Sequence, residues 1–338
     1  MQNETRRKFS EYLNRQAALN NVGVDAVISR FSASPSVQQT LETKVQESSE
    51  FLKSVNVYGV DQQEGEKIGL GVGGPIASTT DTRTKERETS DVSVLDDHKY
   101  RCEQTNYDTH FRYAQLDAWA KFKDFQIRLT NAIVQRIALD RMLIGFNGTS
   151  RAATSNRTTN PMLQDVNIGW LEKIRTKAPQ RHMSEVVDGS GKIEIGNGKD
   201  YNNLDALVFD MVNNLLDPWH QEDTQLVVVT GRKLLADKLF PIINKDQAPT
   251  EQVAADLIIS QKRLGNLPAV RVPYFPANGL MVTRLDNLSI YYQNGTQRRA
   301  VIDTPKRDRV ETYQSSNDAY ELEDYGCVAF AENIELVR

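Results

Sequence analysis

Cysteine is scarce in this sequence, which has only two among its 338 residues, Cys102 and Cys327. Two thiols so far apart in the chain cannot form a disulfide framework, and their spacing matches no zinc site. We therefore expect both to be reduced side chains that pack against other residues. We also expect the chain to fold in a cytoplasm, where thiols stay reduced.

Long apolar runs are also missing. No apolar stretch approaches the length of about 20 residues that a membrane-spanning helix needs. The N-terminal "MQNETRRKFSEYL" has scattered charges and no apolar core, which is unlike a signal peptide. The net charge is −4, so the chain has no excess of the basic residues that neutralise nucleic-acid phosphates. These absences argue against a membrane protein and against a nucleic-acid-binding module.

Signatures of catalysis are absent as well. The sequence has no Gly-x-Ser-x-Gly motif, and the glycines of "GLGVGG" run into Pro75, where a phosphate-binding loop needs Gly-Lys-Ser/Thr. The four histidines are far apart and form no metal-binding pair: His98, His110, His182 and His220. We predict no catalytic residue, no metal and no cofactor. An enzyme with an N-terminal pro-segment is the alternative, and it would need a site that the sequence does not show.

Apolar periodicity predicts an α+β fold without internal repeats. The longest helix is predicted from about residue 115 to 144, because apolar residues recur every three or four positions: Leu116, Trp119, Phe122, Phe125, Leu129, Ile133 and Ile137. The stretch "QLVVVT" predicts a buried strand, followed by a helix from about Arg232 to Leu239. Two hairpins are predicted, with turns at Asp188-Gly189 and at Asn294-Gly295.

The N-terminal part of the chain has two helical segments joined by "VISRFSASPSV" at 27–37. The second begins at Ser34-Pro35, a capping residue followed by proline in the first turn. The first is short and needs a partner surface, and its apolar residues fall on roughly one face: Phe9, Tyr12, Leu13 and Leu19. Residues 1–31 contain five basic and three acidic side chains, so their removal would change the net charge from −4 to −6. The Ser/Ala-rich joint is either a cuttable linker or an ordinary loop.

Residues 59–100 combine a glycine-rich base, "EGEKIGLGVGGPIAS", with the polar stretch "TTDTRTKERETSD". A polar segment of this kind cannot build a core of its own. Because apolar alternation flanks it on both sides, we predict a long two-stranded loop with a charged tip, which needs a neighbour to lie on. Together with a long helix and no catalytic site, this loop indicates a subunit built for contacts with copies of itself.

Five longer stretches carry a family resemblance: "PSVQQTLETKVQESSEFL", "GEKIGLGVGGPIASTTDT", "GFNGTSRAATSNRTTNPMLQDVNIGWLEKIRTKAP", "GRKLLADKLFPIINK" and "ADLIISQKRLGNLPAVRVPYFPANGLMVTRLDNLSIYY". They closely resemble the major capsid protein precursor of peduovirus-type tailed bacteriophages. The resemblance keeps the same order from residue 1 into the low 320s.

This resemblance implies the HK-97-type capsid fold, an α+β shell subunit. Residues 32–58 would form an N-terminal arm, 59–100 an extended loop that lies across a neighbouring subunit, and 165–299 an axial domain around the local symmetry axes. The peripheral domain would contain the predicted long helix as its spine and would comprise residues 101–164 and 300–338.

The family also implies a processing site. Its capsid precursors lose an N-terminal segment to a phage maturation protease, after a phenylalanine that aligns with Phe31. The resemblance therefore implies a cut between Phe31 and Ser32. Residues 1–31 would be a propeptide that helps to hold the precursor to scaffold or to neighbours. The alternative is a plain loop with the N-terminus retained.

The implied function is self-assembly, through hexamers and pentamers, into the icosahedral head shell, which expands when the genome is packaged. The implied partners are copies of the chain, an internal scaffolding protein, the maturation protease, a portal at one vertex and packaged double-stranded DNA bound without sequence specificity. No membrane partner is implied. Assembly would take place in the cytoplasm of the bacterial host, and the product would be the virion capsid. The charged loop tip supplies the candidate inter-subunit contacts: Arg83, Lys85, Glu86, Arg87 and Glu88.

Overall fold

The structure is a computed structural model that describes residues 1–67, 71–72, 77–89, 93–94, 99–231, 233–235 and 263–337. Within these ranges the helices are α1 (Asn3–Asn20), α2 (Val24–Ser29), α3 (Pro35–Glu47), α4 (Glu50–Ser54), α5 (Tyr113–Ala120), α6 (Phe125–Asn147), α7 (Trp170–Lys177), α8 (Leu204–Asp210) and α9 (Pro218–Gln221). A π-helical turn at Met211–Leu215 continues α8. None of the helices in the described part of the chain is long and apolar enough to cross a membrane.

The strands of the described residues are β1 (Phe31–Ser32), β2 (Asn56–Val60), β3 (Glu64–Glu66), β4 (Gly71–Val72), β5 (Ser93–Val94), β6 (Lys99–Arg101), β7 (Glu103–Asn106), β8 (Thr109–Arg112), β9 (His182–Met183), β10 (Ile193–Ile195), β11 (Val227–Thr230), β12 (Arg263–Leu264), β13 (Leu267–Arg271), β14 (Leu280–Thr283), β15 (Leu288–Gln293), β16 (Arg298–Thr304), β17 (Arg309–Leu322), β18 (Val328–Ala331) and β19 (Ile334–Leu336). Helices and mainly antiparallel sheets occur together, so the α+β class is confirmed.

The first sheet is organised by β17, a strand of 14 residues. Both β16 and β15 pair with one side of β17, in antiparallel orientation, and β8 and β7 pair with its other side. Strand β2 joins β15 in parallel, and β1 joins β16 in antiparallel orientation. The order β1-β16-β17-β15-β2 therefore brings the N-terminal part of the chain to both ends of this sheet.

The predicted hairpin around Asn294-Gly295 is wrong. Gly295 does adopt a turn conformation, with φ +71°, but β15 and β16 pair with successive parts of β17 instead of with each other. The reason is the length of β17, which offers room for two shorter strands end to end. After the turn the chain continues along β17 in the same direction.

The second sheet has the order β12-β13-β11-β14-β18-β9. Its interior strand β11 confirms the buried strand predicted from "QLVVVT". The predicted hairpin at Asp188-Gly189 is wrong, because β9 pairs with β18 and β10 pairs with β19, both in parallel. The valines that suggested a hairpin strand, Val186 and Val187, are 45% and 60% exposed, so no buried face holds the two strands together.

Sheet pairing crosses the boundaries that we predict for the two domains. Strand β15 lies in the predicted axial segment and belongs to the first sheet, whereas β18 lies in the predicted peripheral segment and belongs to the second sheet. The domain limits at 164–165 and 299–300 stay a prediction.

Trp170 belongs to a core cluster of the described residues that joins both sheets to α6. It is fully buried, and its indole N–H donates to the Ser289 carbonyl at 3.1 Å. Phe146 and Tyr320 pack on its ring at centroid distances of 5.2 and 5.5 Å. Gly145 is required beside it, because an added Cβ would stand 2.4 Å from the ring.

The predicted single helix at 115–144 is two helices, α5 and α6, separated by residues 121–124. The buried residues step from Ala120 to Phe125, a spacing of five that a continuous helix cannot keep on one face. The break at residues 121–124 brings the buried face of α6 to the same side as that of α5, so that Phe125 and Leu129 share a core with Leu116. Phe122 is in this break and is 46% exposed.

The predicted two-stranded loop is confirmed where the structure describes it. Strand β3 pairs with β6, and β4 pairs with β5, both in antiparallel orientation. The tip at 77–89 is described, whereas residues 68–70 and 73–76 of the glycine-rich base are outside the described residues. The helix predicted from Arg232 to Leu239 is also largely outside them.

Candidate functional site

The N-terminal helix α1 packs on the surface formed by α5, α6 and the first sheet. The buried apolar side chains of α1 are Phe9, Tyr12, Leu13 and Ala17, and they belong to an apolar cluster that also contains Leu116, Ala120, Phe125, Leu129, Val301 and Val310. The partner surface that this short helix needs is therefore supplied by the chain itself. Leu19 departs from the prediction because it is 52% exposed. At 100° per residue it falls at the edge of the apolar face.

Hydrogen bonds also fix the position of α1 on this surface. The Arg299 guanidinium, on β16, donates to the Tyr12 hydroxyl at 2.7 Å and to the Gln16 amide oxygen at 3.0 Å. The backbone N–H of Gln2 donates to the Asp117 carboxylate at 2.9 Å. Hydrogen bonds at both ends of α1 thus fix its position along α5 and β16.

The predicted processing site, Phe31 and Ser32, forms strand β1. Phe31 lies opposite Arg299 and Ser32 opposite Arg298. Phe31 is only 6% exposed and belongs to the same apolar cluster as α1, whereas Ser32 is exposed. Both residues are therefore together at the junction between the N-terminal segment and α3, on an outer strand of the first sheet.

The helix predicted to start at Ser34-Pro35 is confirmed as α3, with Pro35 in its first turn. Its inner face carries a carboxylate, because Glu42 is buried beside Val45. The Arg141 guanidinium, on α6, donates to both carboxylate oxygens of Glu42, and its Nη2 also donates to Asp318 Oδ1 at 3.1 Å. The side chains of these three residues, Glu42, Arg141 and Asp318, are each at most 5% exposed. We call them the buried triad.

The buried triad joins three parts of the fold: α3, α6 and β17. Burial acts to lower the pKa of Arg141, but the carboxylates of Asp318 and Glu42 outweigh it and hold that pKa well above its ordinary value, so the cation persists. Tyr107 donates to Asp318 Oδ2 at 2.9 Å, and the Ser316 hydroxyl lies 3.0 and 3.1 Å from the two oxygens of the same carboxylate. Sequence reasoning missed the triad. One signal in the sequence could have revealed it. Glu42 is a charged residue at helical spacing from Gln38 and Val45, on the helix face that has to pack against the rest of the protein.

A second charged cluster lies on the edge of the second sheet. Glu332 accepts hydrogen bonds from Arg175, at 3.1 Å for Nε to Oε1, and has His182 Nε2 at 2.8 Å. Burial acts to raise the pKa of Glu332, but hydrogen bonds from His182 and Arg175 outweigh it and lower the pKa to about 2. His182 also stacks on Phe330 with ring centroids 5.5 Å apart. These contacts tie α7 and β9 to the end of β18.

The five candidate contact residues lie together at the exposed tip of the long loop. The side chains of Arg83, Lys85, Glu86, Arg87 and Glu88 are all exposed. Lys85 Nζ is 2.9 Å from Glu88 Oε1, a pair of residues 66% and 77% exposed. Exposed pairs of this kind contribute about 0–1 kcal/mol to stability. Because all five side chains are exposed, their charges face outward.

Both thiols are buried, Cys102 completely and Cys327 at 2% exposure, and both are free. Burial raises the pKa of each to about 12. The predicted packing role of reduced cysteines is confirmed. Among the described residues no group of three or more His, Cys, Asp or Glu side chains is placed to hold a metal ion.

Known proteins resemble this chain over almost its whole length. A family model described as "Phage major capsid protein, P2 family" matches residues 8–334. The chain is 53% identical over 342 residues to "Capsid proteins" of Escherichia phage P2, covering 99% of this chain and 96% of that protein. It is 45% identical over 345 residues to the "Major capsid protein" of Serratia phage KSP20, covering 100% and 99%.

Solved structures of capsid chains also resemble the structure of this chain. A chain from the "Satellite phage P4 procapsid including size determination (Sid) protein" superposes with a TM-score of 0.83 at 51% identity, covering 100% of this chain and 99% of that one. A chain from the "Capsid of empty GTA particle computed with C5 symmetry" superposes with a TM-score of 0.52 at 16% identity, covering 85% and 90%, and shares the fold alone.

Proposed function

The chain belongs to the P2 family of phage major capsid proteins, and from that premise we propose that it is made as a precursor whose first 31 residues are cut away by a maturation protease. As a family member it is a shell-forming structural protein and no enzyme, and it has the HK-97-type capsid fold. The proposal concerns how that shell is made.

The observation that carries the proposal is that residues 1–31 contribute nothing to the described core clusters that hold the two sheets together. They contribute two helices and one end of β1, an outer strand of the first sheet. Among the described residues, the clusters that hold the two sheets together begin at Val45, and the first residue that packs against them is Leu41. A cut after Phe31 therefore leaves the rest of the core intact.

We also propose a role for residues 1–31 before the cut. They cover the apolar surface around Leu116 and Val301, and part of that surface becomes available when they leave. The matched procapsid chain superposes over 100% of the present chain, which supports a shell subunit that still carries residues 1–31. We propose that the segment holds the precursor to an internal scaffolding protein or to neighbouring subunits.

The remaining assignments follow the family. We propose residues 32–58 as the arm, 59–100 as the extended loop over a neighbouring subunit, and a peripheral and an axial domain with limits near 164 and 299. A closed shell from one kind of subunit requires heterologous contacts that close into rings. We propose hexamers and pentamers, a portal at one vertex and packaged double-stranded DNA as the contents, with assembly in the host cytoplasm and expansion on packaging.

The experiment that tests the proposal is the intact mass of the protein from finished particles, beside that of the same protein expressed alone. We expect the particle form to begin at Ser32 and the lone form at Met1 or Gln2. If both forms keep the full N-terminus, processing is refuted, while membership of the capsid family is unaffected.

A further inference from the structure

The peptide bond between Phe31 and Ser32 is not accessible as the structure stands. A protease needs the chain on both sides of the bond in an extended form that is free of other partners. Here the backbone at the bond is already paired with β16, and the Phe31 side chain is 6% exposed in a pocket shared with Val301 and Val310.

The residues after the bond are held as well. The Ala33 N–H donates to the Gln297 carbonyl at 2.9 Å, and Ala33 is 7% exposed. The Ser32 hydroxyl donates to the Gly295 carbonyl at 3.0 Å. The Ser34 N–H donates to the side-chain oxygen of Asn20, at 3.3 Å. Four consecutive residues thus have partners that a protease would have to displace.

We infer that β1, with the contacts of residues 31–34 to β16, to the turn at 295–297 and to Asn20, is a latch that has to open before the chain can be cut. Cutting is then set by the fraction of time that β1 is detached, as for proteolysis through any transient local opening. The inference rests on the proposed cut after Phe31 and concerns how that cut is regulated.

The latch is coupled to α1 through packing. Phe31 belongs to the same cluster as Phe9, Tyr12 and Leu13, and Arg299, which lies opposite Phe31, also holds Tyr12. A partner that moves α1 away from α5 therefore removes part of the Phe31 pocket and frees β1. Contacts of the N-terminal helix with its surroundings would in this way control when the bond becomes available.

The test uses a covalent lock on the full chain. Ser32 and Arg298 are exposed register partners in antiparallel strands, where Cα atoms about 4.5–5.5 Å apart suit a disulfide. The probe is chymotrypsin, whose apolar specificity pocket accepts phenylalanine. Release of residues 1–31 is followed by intact mass. For S32C/R298C we expect the oxidised protein to be cut after Phe31 at least tenfold more slowly than the reduced protein. Equal rates would overturn the latch.

Two controls separate the latch from other effects. S32C alone, with its thiol capped by a methylthio group, adds bulk at the cut without a lock and should be cut like the wild type; slow cutting would assign the effect to bulk and overturn the inference. R298C/S315C links β16 to β17 at a register pair and leaves β1 free. It should also be cut at the wild-type rate, and slow cutting there would refute β1 as the gate.

A variant that loosens the latch completes the test. N20A removes the acceptor of the Ser34 N–H, and we expect cutting after Phe31 to become several-fold faster; an unchanged rate would count against the latch. Finished wild-type particles, beside the chymotrypsin assay on the purified chain, separate the two proposals. If the particles keep residues 1–31 while the lock slows chymotrypsin, processing fails and the latch stands. If the particles are processed and the lock leaves cutting by chymotrypsin unchanged, the latch fails and processing stands.

Discussion

The guanidinium of Arg141 holds the carboxylate of Glu42 in the interior, with Nη2 3.2 Å from Oε1 and a second, shorter hydrogen bond from Nη1. This contact fixes α3, at the start of the proposed arm, to α6. The arm therefore has its own attachment, 11 residues beyond the proposed cut at Phe31. Loss of residues 1–31 should leave α3 in place.

The first prediction concerns this attachment. R141M leaves the carboxylates of Glu42 and Asp318 buried without their cation, and we expect the free energy of unfolding to fall by about 3–5 kcal/mol. Urea unfolding of the unassembled full chain measures it. The matched control is R136M on the same helix, because Arg136 and Asp140 form a more exposed i, i+4 pair, with side chains 49% and 20% exposed. It should change the stability by less than about 0.5 kcal/mol. Similar losses in both variants would contradict a special role for the triad.

The triad also shows where sequence reasoning stops. Arg141 meets residues 99 and 177 positions away in the chain, and helical or strand periodicity reports only on neighbours within a few turns. The same limit produced the two wrong hairpins, since local turn residues at Gly189 and Gly295 were correct while the partner strands came from the C-terminal part of the chain.

A pH-dependent prediction follows from Glu332. Its pKa falls from 4.5 to about 2 on folding, so its contribution to stability is present above about pH 4.5 and is lost as the pH falls towards 2. We expect E332Q to lose about 2–3 kcal/mol at pH 7, with the difference from wild type shrinking below pH 4.5. Urea titrations at several pH values measure this.

The control for Glu332 is E335Q in the next strand, where Glu335 forms a more exposed pair with Lys192 at 3.1 Å. It should alter stability by less than about 0.5 kcal/mol at every pH. A loss for E332Q that stays constant between pH 7 and pH 3 would show that ionisation of Glu332 is not the source of its contribution.

The thiols give a third prediction. Because Cys102 and Cys327 are buried with pKa values raised to about 12, the reactive thiolate is rare and shielded at pH 8. We expect no thiol to react with a chromogenic disulfide reagent in the native full chain within minutes, and both to react in guanidinium chloride. Rapid labelling of either cysteine in the native chain would contradict its placement.

The fourth prediction compares two leucines on α1. Leu13 is 8% exposed and Leu19 is 52% exposed. L13A should weaken the packing of α1 by about 2 kcal/mol or more, which is roughly a 30-fold faster exchange of the α1 amide hydrogens if they exchange by local opening. L19A should leave exchange within about threefold of the wild type. Equal effects would mean that α1 is not held by the face that the structure assigns.

Helix α1 illustrates what a sequence does reveal. Its central apolar residues, Phe9, Tyr12 and Leu13, were predicted to pack and are buried, because an amphipathic pattern defines the middle of a helix face well. The edge of a face is defined by the surface it meets, and for that reason Leu19 was assigned wrongly. The single helix at 115–144 failed in a related way, since Phe122 is exposed and the buried residues step by five from Ala120 to Phe125, which requires an interruption.

The last prediction tests the charged loop tip as a contact between subunits. Lys85 already has Glu88 as a partner within its own chain, so Arg87 is the better residue to change. One exposed ion pair contributes about 1 kcal/mol or less, yet the same contact repeated around a shell adds up through multivalency. We expect R87E shells to dissociate at a clearly lower urea concentration than wild-type shells, with unfolding of the single subunit unchanged. The control K306E reverses an exposed charge in the turn before β17 and should leave the shell as stable as the wild type. Shells of R87E that match the wild type would remove the tip from the list of contacts and leave the arm and the two sheets to supply them.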